Sequence, residues 1–365
     1  MENKDLKYWI AFSKCDFDST YSIAAYKHFG SIQEAWYASI ADIANIPEIG
    51  YKRAENVASR KKDIDPNQTL DEILSRNLKV ITYQDKDYPE ALKHITNPPA
   101  RLFIKGDLKN CNLNKTLGVV GSRKATPYIL EILTKLIKDL PANDITIISG
   151  MAYGTDTCAH RASLDANLKT IAVLGSGLDN IYPATNKSLF EEIINGNGAA
   201  ISEYYPTTAP MAWQFPHRNR IVSGLSQGVI LAEGAQKSGA LITARLATEQ
   251  NKELLCIPGQ VTNPNTYGPH KLIKEGAALI TSAQDIMDAM DWQAELVLQC
   301  QKIDKIKLLD NEEKVYKTLS LEPKSIDNII KETDLSTAEL MVILTSLELQ
   351  GIIKQLPQEK FIRTL

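Results

Sequence analysis

The sequence predicts an α/β protein: a parallel sheet buried on both faces, preceded by a helical domain and followed by a winged helix. Three observations carry this. Seven short apolar runs begin at Leu117, Thr146, Thr170, Ala199, Gly228, Glu253 and Ala277, nearly all closing on Gly, Ser or a charged residue. Helical patterns separate most of them, and continuous apolar strands alternating with helices indicate a parallel sheet covered on both sides. The chain before Pro66 reads as helical, and the chain from Leu308 reads as helix, helix, helix, hairpin.

Taken in order, residues 1–66 form the N-terminal helical domain. Within it Ala41–Ala58 resembles a helix-hairpin-helix (SAM-like) unit, with its turn at Ile46–Gly50 and with Lys52 and Arg53 opening the second helix. Contact with a DNA backbone and a plain helical turn fit that pattern equally. Residues 67–290 form the sheet domain, entered through a helix, the strand Lys79–Tyr83 and then Pro98-Pro99, a pair that no helix interior accepts. In its core Tyr128–Leu140 places Ile129, Leu133, Leu136 and Leu140 on one helical face. Residues 291–307 are a polar linker and 308–365 the winged helix, with helices at Asn311–Leu319, Ser325–Thr333 and Ser336–Gln350 and strands at Ile352–Lys354 and Lys360–Arg363. Ser336 and Glu339 have capping-box spacing. The third helix would read a groove in a DNA-binding winged helix, yet it carries Glu339 and Glu348 and no Lys or Arg. The unit holds 7 basic against 10 acidic residues, which predicts a protein-contact module.

The chain is 44% hydrophobic and 23% charged, an ordinary globular balance, and no apolar run is long enough for a membrane span. A net charge of -3 requires any polyanion to be held by a local basic patch. Five scattered cysteines without Cys-x-x-Cys spacing argue against a disulfide framework or a zinc site and fit a reducing cytoplasm. Neither a cofactor nor a metal is expected.

Ligands of open parallel sheets sit beyond the carboxyl ends of the strands. Those ends carry Gly121-Ser122-Arg123, Ser149-Gly150, Gly175-Ser176-Gly177, Ser202-Glu203 and Glu233-Gly234. Between Ala212 and Leu225, Phe215-Pro216 is expected to stop any helix and fix an extended approach. Arg218, Asn219 and Arg220 would then stand at a loop-to-helix junction, with a helix beginning near Ile221. Two guanidiniums there suit phosphate or carboxylate. Ser238-Gly239 opens a further helix behind Lys237, an anion seat or simply close packing. Lys187 and Phe190 are helical neighbours. They suit a strand backbone and a stacked base, although spacing alone favours a surface lysine over a core phenylalanine. Asp156 and His160 lie one helical turn apart without further ligands, which favours structural hydrogen bonds over a metal or acid–base pair. No Gly-x-Ser-x-Gly elbow, Walker A loop or dinucleotide fingerprint is present, so no catalytic residue is assigned.

From about Tyr88 to Ile286 these motifs, in order, resemble the DNA-processing protein A family (DprA, also called Smf). The segments concerned are Gly121–Arg123, Ser149–Gly154, Ala172–Asp179, Tyr182-Pro183, Phe215–Ile221, Ser238–Ala244 and Ile257–Gly259. The resemblance implies an extended Rossmann-like domain that binds single-stranded DNA, protects it during natural transformation, helps load the recombinase RecA and forms a homodimer. It places Arg123, Lys187, Phe190, Arg218 and Arg220 in the DNA pocket, which raises Lys187 and Phe190 above the reading from spacing. The competing class is a nucleotide hydrolase of a related Rossmann-like type, with Glu203 or Glu233 as the acid at a strand end. A scaffold with a vestigial crevice is the third.

Overall fold

The computed structural model describes residues 5–15, 17–141, 145–196, 198–292, 310–320, 324–333, 335–349, 353–356 and 360–363. Contacts divide the chain into two units, residues 1–293 and 294–365. The first unit opens with α1 (Leu6–Lys14), α2 (Ser19–Phe29), α3 (Ile32–Tyr37), α4 (Ile40–Ala44), α5 (Gly50–Lys61), α6 (Pro66–Ser75), β1 (Lys79–Thr82), α7 (Glu90–Lys93) and β2 (Arg101–Gly106). Strand and helix then alternate: β3 (Thr116–Val120), α8 (Pro127–Lys138), β4 (Thr146–Ser149), α9 (Thr155–Asp165), β5 (Lys169–Val173), α10 (Lys187–Asn195) and β6 (Gly198–Ser202). They continue through α11 (Gln214–Leu225), β7 (Gly228–Leu231), α12 (Gly239–Glu249), β8 (Glu253–Cys256), α13 (Tyr267–Lys274), β9 (Ala278–Leu279) and α14 (Ala283–Ala289).

All seven apolar runs are strands of one sheet, ordered β1-β2-β6-β5-β4-β3-β7-β8-β9. β6 through β9 pair in parallel, while β1 and β2 are antiparallel additions at one edge. Residues of β3, β4, β6 and β7 are buried throughout because helices cover both faces. α8 starts where its sequence dictates: Thr126 Oγ1 accepts the Ile129 N–H at 3.4 Å and Pro127 occupies the first turn. Its Ile129, Leu133 and Leu136 are buried, as their spacing predicts. After β6 the chain returns to place β7 on the far side of β3. That reversal of strand order creates a crevice between β3 and β7.

The N-terminal helices are packed onto this sheet. Ile10 of α1 shares a core cluster with Ile73 of α6 and Phe103 of β2, Lys14 pairs with Glu72 at 2.8 Å, and Arg101 donates to the Trp9 carbonyl at 3.1 Å. The first two domains expected from sequence therefore lie within one compact unit. α4, a turn and α5 form the expected hairpin, with Gly50 at φ +68°. Arg53 is occupied there, donating to the Glu48 carbonyl at 3.0 Å and lying 4.6 Å from the Tyr21 ring centre.

The second unit has α15 (Asp310–Thr318), β10 (Lys324–Ser325), α16 (Ile326–Thr333), α17 (Thr337–Leu349), β11 (Ile353–Leu356) and β12 (Lys360–Arg363). Its sheet runs β10-β12-β11, so a two-residue strand joins the expected hairpin. Val315, Ile329, Leu340, Leu344 and Phe361 fill its core. The capping box forms: Ser336 Oγ accepts the Glu339 N–H at 3.3 Å and Glu339 Oε2 the Ser336 N–H at 3.1 Å. Most of the expected linker, residues 293–307, lies outside the described residues. No helix among the described residues is long and apolar enough to cross a membrane.

Ile10→Ala should lower the stability of the whole large unit by about 2–5 kcal/mol, because the lost side chain is wholly buried. Urea unfolding followed through a sheet-domain signal checks this. An unmoved transition would mean that residues 1–66 fold on their own.

Candidate nucleic-acid interface

The β3/β7 crevice holds a cavity of about 370 Å³. Its walls are Val120–Arg123 after β3, Gly150 and Ala152 after β4, Asp156 of α9, the start of α11, and Ser238–Thr243 at the start of α12. Of the ten residues expected from sequence, Ser122, Arg123, Arg218, Asn219, Ser238 and Gly239 meet here. Arg123 is exposed, with its guanidinium 5.5 Å from the Phe215 ring centre. Ser238 caps α12 by accepting the Ala240 N–H at 3.2 Å, so the helix start and its partial positive charge face the cavity. Lys237 is exposed beside it.

Arg218 is only 3% exposed. Its Nη1 donates to the Gly150 carbonyl at 2.8 Å and to the Val173 carbonyl, and its Nε to Asn219 Oδ1 at 3.1 Å. Asp156 faces it while accepting the N–H groups of Gly150 and Ala152 at 3.2 and 3.1 Å. Burial pulls the Arg218 guanidinium down to about 10, with Asp156 opposing, so it stays charged at neutral pH. Burial pushes the Asp156 carboxyl up, and Arg218 and the two amides hold it back. Arg218 is thus a fixed positive charge under the cavity. Gly150 permits it: a Cβ there would lie 2.3 Å from Arg218 Nη2. Gly154, at φ +71°, lets the β4–α9 turn close against the Ser122 carbonyl.

Several expectations are corrected. Phe215-Pro216 does not stop a helix; α11 already runs from Gln214. Pro216 sits in the first turn, where its missing N–H removes no intrahelical bond. Arg218, Asn219 and Arg220 are therefore helical residues, not residues of a loop junction. Positions two apart on a helix diverge, and Arg220 turns away from the cavity. Its guanidinium holds Glu203 at 2.8 and 2.6 Å, and its Nε donates to the Asn97 carbonyl at 2.8 Å. Glu203 also lies 3.1 Å from His217 Nδ1 and accepts from Ser19 Oγ at 3.3 Å. Burial alone would raise its carboxyl; Arg220 and His217 outweigh that and hold it at about 2. Arg220 is a buried ion-pair partner rather than a phosphate clamp. Phe190 is 1% exposed within the core, which closes base stacking to it. Lys187 is exposed at the start of α10, outside the cavity lining. The reading from spacing, a surface lysine near a core phenylalanine, describes this pair.

His160 hydrogen-bonds Thr170 Oγ1 at 2.7 Å, and burial, with Arg218, lowers its imidazole to about 3, keeping it neutral. Asp156 and His160 therefore serve different structural partners. Glu233 accepts from Thr126 N–H and Oγ1 at 3.1 and 2.6 Å. Among the lining residues not assigned to the site from sequence are Phe215, read there as a helix stop and part of a family motif, and Asp156, which faces Arg218.

Arg220→Ala should cost about 3–5 kcal/mol, because it leaves the Glu203 carboxylate buried and unpaired. Adding Glu203→Gln should recover much of that in urea unfolding. With its carboxyl held at about 2 against an ordinary 4.5, Glu203 contributes stability above pH 4.5 that is lost as pH falls towards 2. Glu203→Gln should flatten that part of the acid-unfolding profile.

Comparison with known proteins places this geometry. Residues 79–291 match the family described as DNA recombination-mediator protein A, and residues 305–359 the DprA winged helix domain. DNA processing protein DprA of Bacillus subtilis (strain 168) is 41% identical over 215 residues, 59% of this chain and 72% of that one. Protein Smf of Synechocystis is 30% identical over 100% of both chains. The X-ray structure of DNA processing protein A from Streptococcus pneumoniae aligns with a TM-score of 0.69 at 34% identity, covering 77% of this chain and 97% of that one. A structure of DNA processing protein A from Helicobacter pylori, described for its single-stranded DNA binding mode, aligns with a TM-score of 0.52 at 30% identity, covering 58% and 95%. The family match spans more than half of the chain and a relative matches it from end to end: this chain belongs to the DNA recombination-mediator protein A (DprA/Smf) family.

Proposed function

We propose that this protein binds single-stranded DNA in the cavity at the β3/β7 crevice and, as a homodimer, presents it to the recombinase RecA during natural transformation, without chemistry of its own. The observation that carries this is the meeting of a fixed buried cation, an exposed arginine beside an aromatic ring, and a helix start in one cavity at the point where strand order reverses. The likeness to the Helicobacter pylori protein, whose structure concerns single-stranded DNA binding, supports the ligand. The description of the family as a recombination mediator supports the transfer to a recombinase. The two strand-end carboxylates that a hydrolase would use are committed elsewhere, Glu203 to Arg220 and Glu233 to Thr126. In the winged helix, α17 exposes Met341 and Val342 near Glu339, a face suited to a protein rather than a phosphate backbone.

Fluorescence anisotropy with labelled oligo-dT, competed by unlabelled duplex across a salt series, tests this reading. Engagement of about three phosphates gives a log–log salt slope of roughly -2. Arg123→Ala should weaken binding about tenfold and make the slope shallower by roughly 0.7. Absence of binding at low salt, or equal competition by duplex, overturns the reading. Release of free base from nucleoside monophosphates would favour the hydrolase.

A further inference from the structure

The start of α11 divides its side chains between two cavities. Ala212, Phe215, Pro216, Arg218 and Asn219 face the cavity already described, whereas Met211, Trp213, Gln214 and His217 line a second one of about 410 Å³. This second cavity lies between the N-terminal helices and the end of β6, and Phe17, Asp18, Arg101, Glu203 and Tyr204 also line it. Trp213 is 61% exposed. Its indole stands edge-on to Tyr204, with ring centres 6.1 Å apart at 83°, and 6.2 Å from His217. Below lies Arg101, 3% exposed, which donates to the Trp9 carbonyl and Ser22 Oγ while its Nε has no hydrogen-bond partner.

We propose that this second cavity holds a nucleobase of the same single strand, stacked on Trp213, while an adjoining phosphate occupies the first cavity. The proposal rests on the single-strand reading above and adds a subsite to it. Asp18 and Glu203 line the second cavity and are balanced by Arg101 and by the Arg220 that grips Glu203, so it offers a phosphate no net positive field. An aromatic wall over hydrogen-bonding groups of both kinds is instead the chemistry that receives an unpaired base. Continuity is built in: Phe215, in the first cavity, and Trp213, in the second, are two residues apart, and Tyr182 extends the aromatic row with its ring centre 5.3 Å from that of Phe215.

The test uses the full chain and a labelled oligo-dT. Trp213→Ala should weaken binding about tenfold with the salt slope unchanged, since stacking releases no counterion, and Trp213→Phe should restore most of the loss. The wild-type tryptophan emission should be quenched by the oligonucleotide, and the quench should vanish in Trp213→Phe. The other three tryptophans, Trp9, Trp36 and Trp292, are at most 8% exposed. An abasic oligonucleotide should lose affinity for the wild type more than for Trp213→Ala. If Arg123→Ala weakens binding and Trp213→Ala does not, the second subsite is wrong and the single-strand reading stands. If the wild type binds no single strand, both fall. Intact DNA affinity with lost stimulation of recombinase-driven strand exchange would make Trp213 a protein contact and overturn the proposal.

Discussion

Two arginines of α11 fasten the carboxyl edge of the sheet, and the arrangement of the site depends on that fastening. Arg218 reaches the carbonyls that follow β4 and end β5, and Arg220 grips the carboxylate that follows β6. Both are paid for with the desolvation of a guanidinium, and each is repaid by multiple acceptors held by the strands. The helix start between two cavities is thereby fixed in position. Without those contacts, the segment from Met211 to Asn219 would have little reason to hold its aromatic and cationic groups in a fixed order.

This division of labour suits a chain whose net charge is slightly negative. Long-range attraction of a polyanion is unavailable, so the field must be local. A buried cation such as Arg218 loses no side-chain freedom when a ligand arrives and acts through less water than a surface lysine does. Asp156 limits its strength, which leaves a modest, preorganised field rather than an intense one. Arg123, exposed and resting by the Phe215 ring, supplies the adjustable part.

The seven parallel strands, the α8 face and the winged helix were legible because each rests on local pattern: continuous apolar runs, a 3.6-residue period, a capping box. The antiparallel β2 and the two-residue β10 were not, because the first follows a proline pair and the second is too short to show a pattern. The crevice followed from topology, since small residues clustered at strand ends. What misled was direction. Sequence presents Arg218 and Arg220 as equivalents, but helical geometry sends them to opposite tasks once Pro216 is admitted into a first turn. Lys187 and Phe190 suited one ligand by chemistry, yet the burial of Phe190 is decided by β2 and the neighbouring core, far away in sequence. Trp213 gave no periodic signal, and its exposure becomes visible only when the helix start is seen projecting between two cavities.

The hydroxyl that Ser19 lends to Glu203 comes from the first residue of α2, and Thr20 Oγ1 meets Asn97, whose carbonyl serves Arg220. The helical lobe is therefore not an interchangeable cassette. A lineage that traded it for another module would have to supply a new lid over the Glu203–Arg220 pair at the same time, or retune residues 97–101 and 217–220 together. Shuffling at that junction is constrained by the chemistry of one carboxylate, and coordinated change across it is the evolutionary signature such a chain should leave.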